Sequence, residues 1–271
     1  MKVYNMNDPG DQKIRYTKFP DSQPHINIDS PNEGEDVIVI CSITSSDKLL
    51  WLLELTNAID NANGNKYELR IPYLMGARFD RIMNEGDSFD LKIIANIINS
   101  LNYSKVALYD IHSDVASALI NKAFNITNRS LVINRMAIKP DSVLICPDAG
   151  AVKKVEKYLN LNDNIVDVVY CNKLRDLSNG KITLKVLEPE KCKDRNCVII
   201  DDICDGGGTF LAIADQIEPS DLRLIVTHGI FSNGFVKLSE KFDHIITSNS
   251  YRGLESYPED VLDMITIVNL T

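Results

Sequence analysis

Val198-Ile199-Ile200-Asp201-Asp202-Ile203-Cys204-Asp205-Gly206-Gly207-Gly208-Thr209 is the stretch on which the reading of this chain turns. An apolar run ends in two adjacent carboxylates. A third carboxylate, three glycines and a threonine that opens a helical pattern follow. Glycines let a backbone approach an anion closely, and the N–H groups at the start of a helix point at it. Carboxylates accept hydrogen bonds from sugar hydroxyls, so Asp201 and Asp202 suit a ribose diol while Asp205, Gly206, Gly207, Gly208 and Thr209 hold its phosphate. A tight turn with an Asp cap uses the same residue types. The strand, the Asp pair, the third Asp and the glycine run taken together point to a phosphosugar site.

Outward from this stretch, short β-branched runs alternate with helical spacing. Strands are expected at 36–42, 67–72, 105–110, 142–147, 165–171, 196–201, 222–227 and 243–247, and helices at 46–62, 88–102, 113–122, 150–159, 207–217 and 233–241. Strands alternating with helices of this length predict parallel sheets joined by crossover helices. The pattern runs twice, over about 36–130 and 140–250, with a Pro-based boundary near Lys139-Pro140-Asp141. The expectation is two doubly wound α/β domains in tandem, 1–134 and 135–271. Ligands of such sheets sit outside the carboxyl ends of strands, so the informative residues should follow the strand candidates.

The 271 residues carry 29 Lys and Arg against 38 Asp and Glu, a formal charge of −9. That balance, with no long basic run, speaks against a nucleic-acid partner or an anionic membrane surface. Apolar runs such as Val37–Cys41 are too short to span a bilayer, and the N-terminus lacks the apolar core of a secretion signal. The six cysteines form no CxxC pair and do not cluster with the four histidines. They read as reduced thiols of a cytoplasmic protein rather than a metal cluster.

Six markers in order make the chain resemble the ribose-phosphate pyrophosphokinases, from about Lys18 to Tyr251. They are Ile71-Pro72-Tyr73 with Ala77-Arg78-Phe79-Asp80-Arg81, Asp110-Ile111-His112, Pro147-Asp148-Ala149-Gly150, Lys173-Leu174-Arg175, the 198–209 loop, and Thr227-His228-Gly229-Ile230-Phe231-Ser232. The resemblance implies two phosphoribosyltransferase-like domains with mostly parallel sheets, related by pseudo-twofold symmetry. It implies transfer of diphosphate from ATP to the anomeric hydroxyl of ribose 5-phosphate, with Mg²⁺ and release of AMP. It also implies a homo-oligomer, a dimer or larger.

Residue by residue, the resemblance places Lys173 and Arg175 on a catalytic flexible loop, where they neutralise charge on the transferred diphosphate. It associates His112 and Asp148 with Mg²⁺, and Phe19, Asp21, Gln23 and Arg78 with the nucleotide. Asp21 and Gln23 stand where Asn and Glu are usual, and Phe79 where Gln is usual. An additional strand and helix before the Lys-Phe segment and a further C-terminal helix are expected to be missing. Gly206 replaces a usual Thr, which is expected to enlarge the space beyond the 5-phosphate. That makes ADP-ribose, in the context of NAD salvage, an alternative acceptor. A phosphoribosyltransferase shares the Asp-Asp loop but not the doubled domain, the Lys-x-Arg pair or the Asp-Ile-His marker. A non-catalytic regulatory homologue would be favoured by loss of the Lys-x-Arg pair, which is present.

Overall fold

The computed structural model describes residues 1–128, 138–160, 163–175, 182–253 and 256–270. It forms two compact units, Met1–Thr127 and Asn128–Leu270. The boundary expected at 134/135 lies outside the described residues.

The first unit contains β1 (Lys2–Asn5), β2 (Ile14–Lys18), β3 (Pro24–Ile28), β4 (Asp36–Ile40), α1 (Ser46–Asn61), β5 (Asn65–Ile71), α2 (Asp90–Ser100), β6 (Lys105–Tyr109), α3 (Val115–Leu119) and β7 (Ala123–Ile126). β1, β4, β5, β6 and β7 form one sheet in that order, every pair parallel. Helix α1 starts where the Ser45 hydroxyl accepts the Lys48 N–H at 3.2 Å, the usual polar cap. Its buried Leu49, Leu52, Leu55 and Ile59 share one core with Leu91, Ile94 and Ile98 of α2, Ala116 of α3, and Val37, Val39, Leu69, Val106 and Leu108 of the sheet. All three helices therefore cover the same face. This half is singly wound, which corrects the expectation of double winding. Strand neighbours that follow chain order through right-handed crossovers leave no reversal point.

β2 and β3 make a separate antiparallel hairpin resting on α1, with the Tyr16 and Trp51 rings 4.9 Å apart. Sequence periodicity missed β1, β2, β3 and β7. Each is four or five residues long and presents few apolar side chains to the core. β1 also corrects the expectation that no strand precedes the Lys-Phe segment.

The second unit contains β8 (Ser142–Cys146), α4 (Val152–Leu159, entered through a 3₁₀ turn at Ala149–Ala151), β9 (Ile165–Arg175), β10 (Ile182–Val186), β11 (Asn196–Cys204), α5 (Gly208–Ala214), β12 (Asp221–Gly229), α6 (Val236–Ser239), β13 (His244–Ser248) and β14 (Ile265–Val268). The sheet order is β10-β9-β8-β11-β12-β13-β14, with only β9 and β10 antiparallel. Val143, Ile145, Ile199 and Leu224 face α5 and α6 through Phe210, Ile213 and Leu238. Leu144, Cys146, Val198 and Ile200 face α4 through Val155 and Tyr158. Helices on both faces make this half doubly wound, as expected. The chain leaves β8 toward β9 and returns to β8's other side as β11, so the winding reverses between β8 and β11. That crevice is where a doubly wound sheet binds its ligand.

Candidate active site

Three of the carboxylates named from the sequence flank the reversal point. Asp148 follows β8, and Asp201 and Asp202 lie near the end of β11. Alternation along β11 puts Asp202 on the face of Val198 and Ile200, which is the face α4 covers. There the Lys154 ammonium stands 3.4 Å from the buried Asp202 carboxylate. Crowding by protein, the neighbouring Asp202 and then Asp148 raise the proton affinity of Asp201 well above the usual carboxylate range. The Asp202 N–H donates to Asp201 Oδ1 at 2.9 Å. Asp148 Oδ1 accepts from the N–H groups of Gly150 and Ala151 at 2.9 and 3.2 Å, which fixes the turn into α4. Lys154 was not singled out in the sequence. Its signal was its place one turn into the helix after Pro147-Asp148-Ala149-Gly150.

The loop after β11 is shaped by two glycines for different reasons. Gly207 has φ +78°, and a Cβ there would lie 3.1 Å from Leu238 Cδ2. Gly206 has ordinary backbone angles, but a Cβ on it would lie 2.6 Å from Asn233 Nδ2. The space beside Gly206 is thus filled by the Asn233 amide, which donates to the Gly206 carbonyl at 3.2 Å. The expected opening at Gly206 therefore has the Asn233 amide standing at the Cβ position itself. The missing side chain is offset by one from another loop, which linear sequence does not reveal.

In the N-terminal half, loops leave the carboxyl ends of the adjacent strands β5 and β6. The first carries Arg78, Phe79, Asp80 and Arg81; the second carries Asp110 and His112. Asp110, at φ +38°, turns the chain out of β6, and His112 is exposed. Asp80 is buried. Hydrogen bonds from Arg81, at 2.8 Å, and from Ser113, with the nearby positive charges of Arg81 and His112, hold its carboxyl below the usual range. Asp80 thus links the two loops, a role its place in a quoted marker did not disclose. Arg78 is exposed on the same loop.

Phe19, Asp21 and Gln23 lie at the exposed tip of the β2–β3 hairpin of the same unit. The Phe19 N–H donates to the Gln23 carbonyl at 2.9 Å, the Gln23 N–H to Asp21 Oδ1 at 3.0 Å, and the Phe19 ring is 6.4 Å from that of His25.

Lys173 and Arg175 end β9 and pair in register with Leu184 and Ile182 of β10. The expectation of an irregular loop beginning at Lys173 is corrected: the backbone there is one arm of a hairpin. β-ladder pairing reaches further than the apolar run Ile165–Cys171 implied. The remainder of the expected loop, 176–181, lies outside the described residues.

All six cysteines are buried free thiols. No group of three or more His, Cys, Asp or Glu side chains among the described residues can hold a metal ion. No helix among them is long and apolar enough to cross a membrane.

A doubly wound half with an Asp-Asp strand end and a glycine-rich loop at its reversal point defines a phosphoribosyltransferase-like protein. Comparison with known proteins extends this. A model of the N-terminal domain of ribose phosphate pyrophosphokinase matches residues 5–101, and a phosphoribosyl transferase domain model matches residues 111–243. Ribose-phosphate pyrophosphokinases of Ureaplasma parvum and Sulfolobus acidocaldarius are each 28% identical, covering 94% and 96% of this chain and 80% and 89% of their own. That of Campylobacter jejuni is 27% identical over 79% of this chain and 71% of its own. The crystal structure of phosphoribosylpyrophosphate synthetase from Mycobacterium smegmatis shares the fold, with a TM-score of 0.78 at 17% identity, over 95% of this chain and 86% of its own. The chain belongs to the ribose-phosphate pyrophosphokinase family, a family of diphosphotransferases.

Proposed function

We propose that the protein transfers the β,γ-diphosphate of ATP to the anomeric hydroxyl of ribose 5-phosphate, releasing AMP. The observation that carries this reading is the Asp148, Lys154, Asp201, Asp202 cluster beside the 205–209 loop at the reversal point. Asp201 and Asp202 accept hydrogen bonds from the 2- and 3-hydroxyls of the ribose, with the Lys154 ammonium 3.4 Å from Asp202. Asp205, Gly206, Gly207, Gly208 and Thr209 hold the 5-phosphate through backbone N–H groups and the threonine hydroxyl. The anomeric oxygen attacks the β-phosphorus in line as the bond to the α-phosphate's bridging oxygen breaks, and its proton leaves to solvent. Catalysis is positioning and charge neutralisation, with Lys173 and Arg175 supplying positive charge to the diphosphate. Phe19, Asp21, Gln23 and Arg78 bind the nucleotide, the ring of Phe19 offering a stacking face for adenine.

The donor set fits Mg²⁺ only as a partner of nucleotide phosphates. Mg²⁺ bound that way keeps several waters and needs one or two protein ligands, so no preformed cage is required. Asp148 would supply a hard oxygen and His112 an exposed nitrogen. When bound with nucleotide, the ion neutralises charge on the phosphate oxygens.

The test is AMP formation from ATP with Mg²⁺ and ribose 5-phosphate, followed by chromatography and corrected for ATP breakdown without acceptor. Acceptor-dependent AMP is expected. AMP independent of any acceptor, or none at all, would remove the reading.

A further inference from the structure

Asn233 reaches its place by a chain of specific constraints. β12 ends at Gly229, where a Cβ would lie 2.2 Å from Phe231 Cε2 and 2.7 Å from Thr247 Oγ1, so no side chain fits. Phe231 is a buried aromatic at φ +49°, a conformation such residues rarely adopt and that surrounding packing must enforce. That packing is visible: its ring lies 4.6 Å from Phe235 and 6.3 Å from Tyr257. The N–H groups of Ile230 and Phe231 both donate to the Cys204 carbonyl, at 2.9 and 3.1 Å, and the Ser232 N–H donates to the Asp205 carbonyl at 3.1 Å. The 230–233 turn is therefore bound to the 204–206 backbone through three main-chain hydrogen bonds. Their outcome is an exposed side-chain amide at the point a residue-206 side chain would occupy.

We infer that Asn233 is a specificity residue for the terminal phosphate of the sugar acceptor, supplying from the neighbouring loop the side-chain donor that Gly206 lacks. The inference rests on the proposed phosphosugar reading of the 205–209 loop and adds a residue to it. One amide hydrogen of Asn233 is used on the Gly206 carbonyl. A primary amide has a second hydrogen, and this one serves a phosphate oxygen. The Ser232 hydroxyl, 3.8 Å from the same Cβ position, stands beside it. A group that fills this space and donates to a terminal phosphate oxygen favours a phosphate monoester over an acceptor whose 5-phosphate is esterified further.

The test uses the whole protein with ¹⁵N-labelled asparagine side chains. Titration with ribose 5-phosphate should shift the Asn233 amide resonance, and titration with ribose should not. Calorimetry should show Asn233→Ala weakening ribose 5-phosphate by about tenfold, the scale of one hydrogen bond to a charged oxygen. Asn233→Asp keeps the shape but replaces the donor with a negative charge, and should weaken it further. A merely structural role predicts equal losses in the two variants. The preference for ribose 5-phosphate over ADP-ribose should narrow in Asn233→Ala. Gly206→Thr combined with Asn233→Gly should restore it. An unshifted Asn233 amide with unchanged affinity in Asn233→Ala overturns the inference, whatever the enzyme's activity. A phosphate-dependent shift without AMP formation supports it and overturns the reaction instead.

Discussion

Asp201 shows how a residue proposed to bind the acceptor can weigh against the fold that carries it. Its carboxyl is pushed above the usual range by crowding, by Asp202 and by Asp148. At low pH both folded and unfolded chains hold the proton, and the residue is neutral in its effect. As pH rises past the ordinary carboxylate value the unfolded chain loses its proton first, so the folded state is progressively disfavoured until Asp201 ionises there too. Asp201→Asn should therefore raise the melting temperature by a few degrees near pH 8 but not near about pH 3, while acceptor affinity falls. Scanning calorimetry at the two pH values checks this, and an equal rise at both would show that charge is not the cause. Asp201 and Asp202 were legible in the sequence because two carboxylates at the end of an apolar strand are a local pattern. Lys154 was not, because its partner is 48 positions away and only the return of the chain beside β8 brings them together.

Among the elements, the β9–β10 hairpin departs most from expectation. A Lys-x-Arg pair after an apolar strand reads as a loop, yet register pairing carries the strand through Arg175 opposite Ile182. Lys173→Ala and Arg175→Ala should each lower kcat by roughly 10²-fold with little change in nucleotide affinity, as for groups that act mainly in the transition state. Steady-state kinetics beside nucleotide calorimetry measures both quantities. A KM effect alone would make the pair ground-state binders. The main strands and helices of both sheets were legible from periodicity, whereas the β2–β3 hairpin was not. Its strands expose most of their residues, and its stability comes from resting on α1 rather than from its own pattern.

Across the whole molecule, metal dependence is the property most open to a direct test. Asp148 already holds the turn into α4 through two backbone N–H groups, and Asp80 ties His112's loop to its neighbour. Each proposed ligand thus lies on a loop fixed within its own unit, and among the described residues neither belongs to a group of three or more metal-ligating side chains. Activity should be lost on chelation and return with Mg²⁺. His112→Ala should raise the Mg²⁺ concentration giving half-maximal activity by roughly tenfold, with protein stability unchanged, since the residue is exposed. Full activity after exhaustive chelation would remove both residues from the metal's surroundings.

By itself the sequence determined the α/β alternation, the doubling of the pattern and the strand–carboxylate–glycine order of the 198–209 stretch. Each is a short-range property, written in spacing, β-branching and the needs of a backbone that must approach an anion. The tertiary structure alone decided the direction of winding. Periodicity records that a strand is followed by a crossover but not to which side the next strand goes, so the singly wound first unit and doubly wound second unit read alike. It also decided what stands beside Gly206. A glycine in a sequence is an absence, and only the folded turn at 230–233 shows that a neighbouring amide has taken the space.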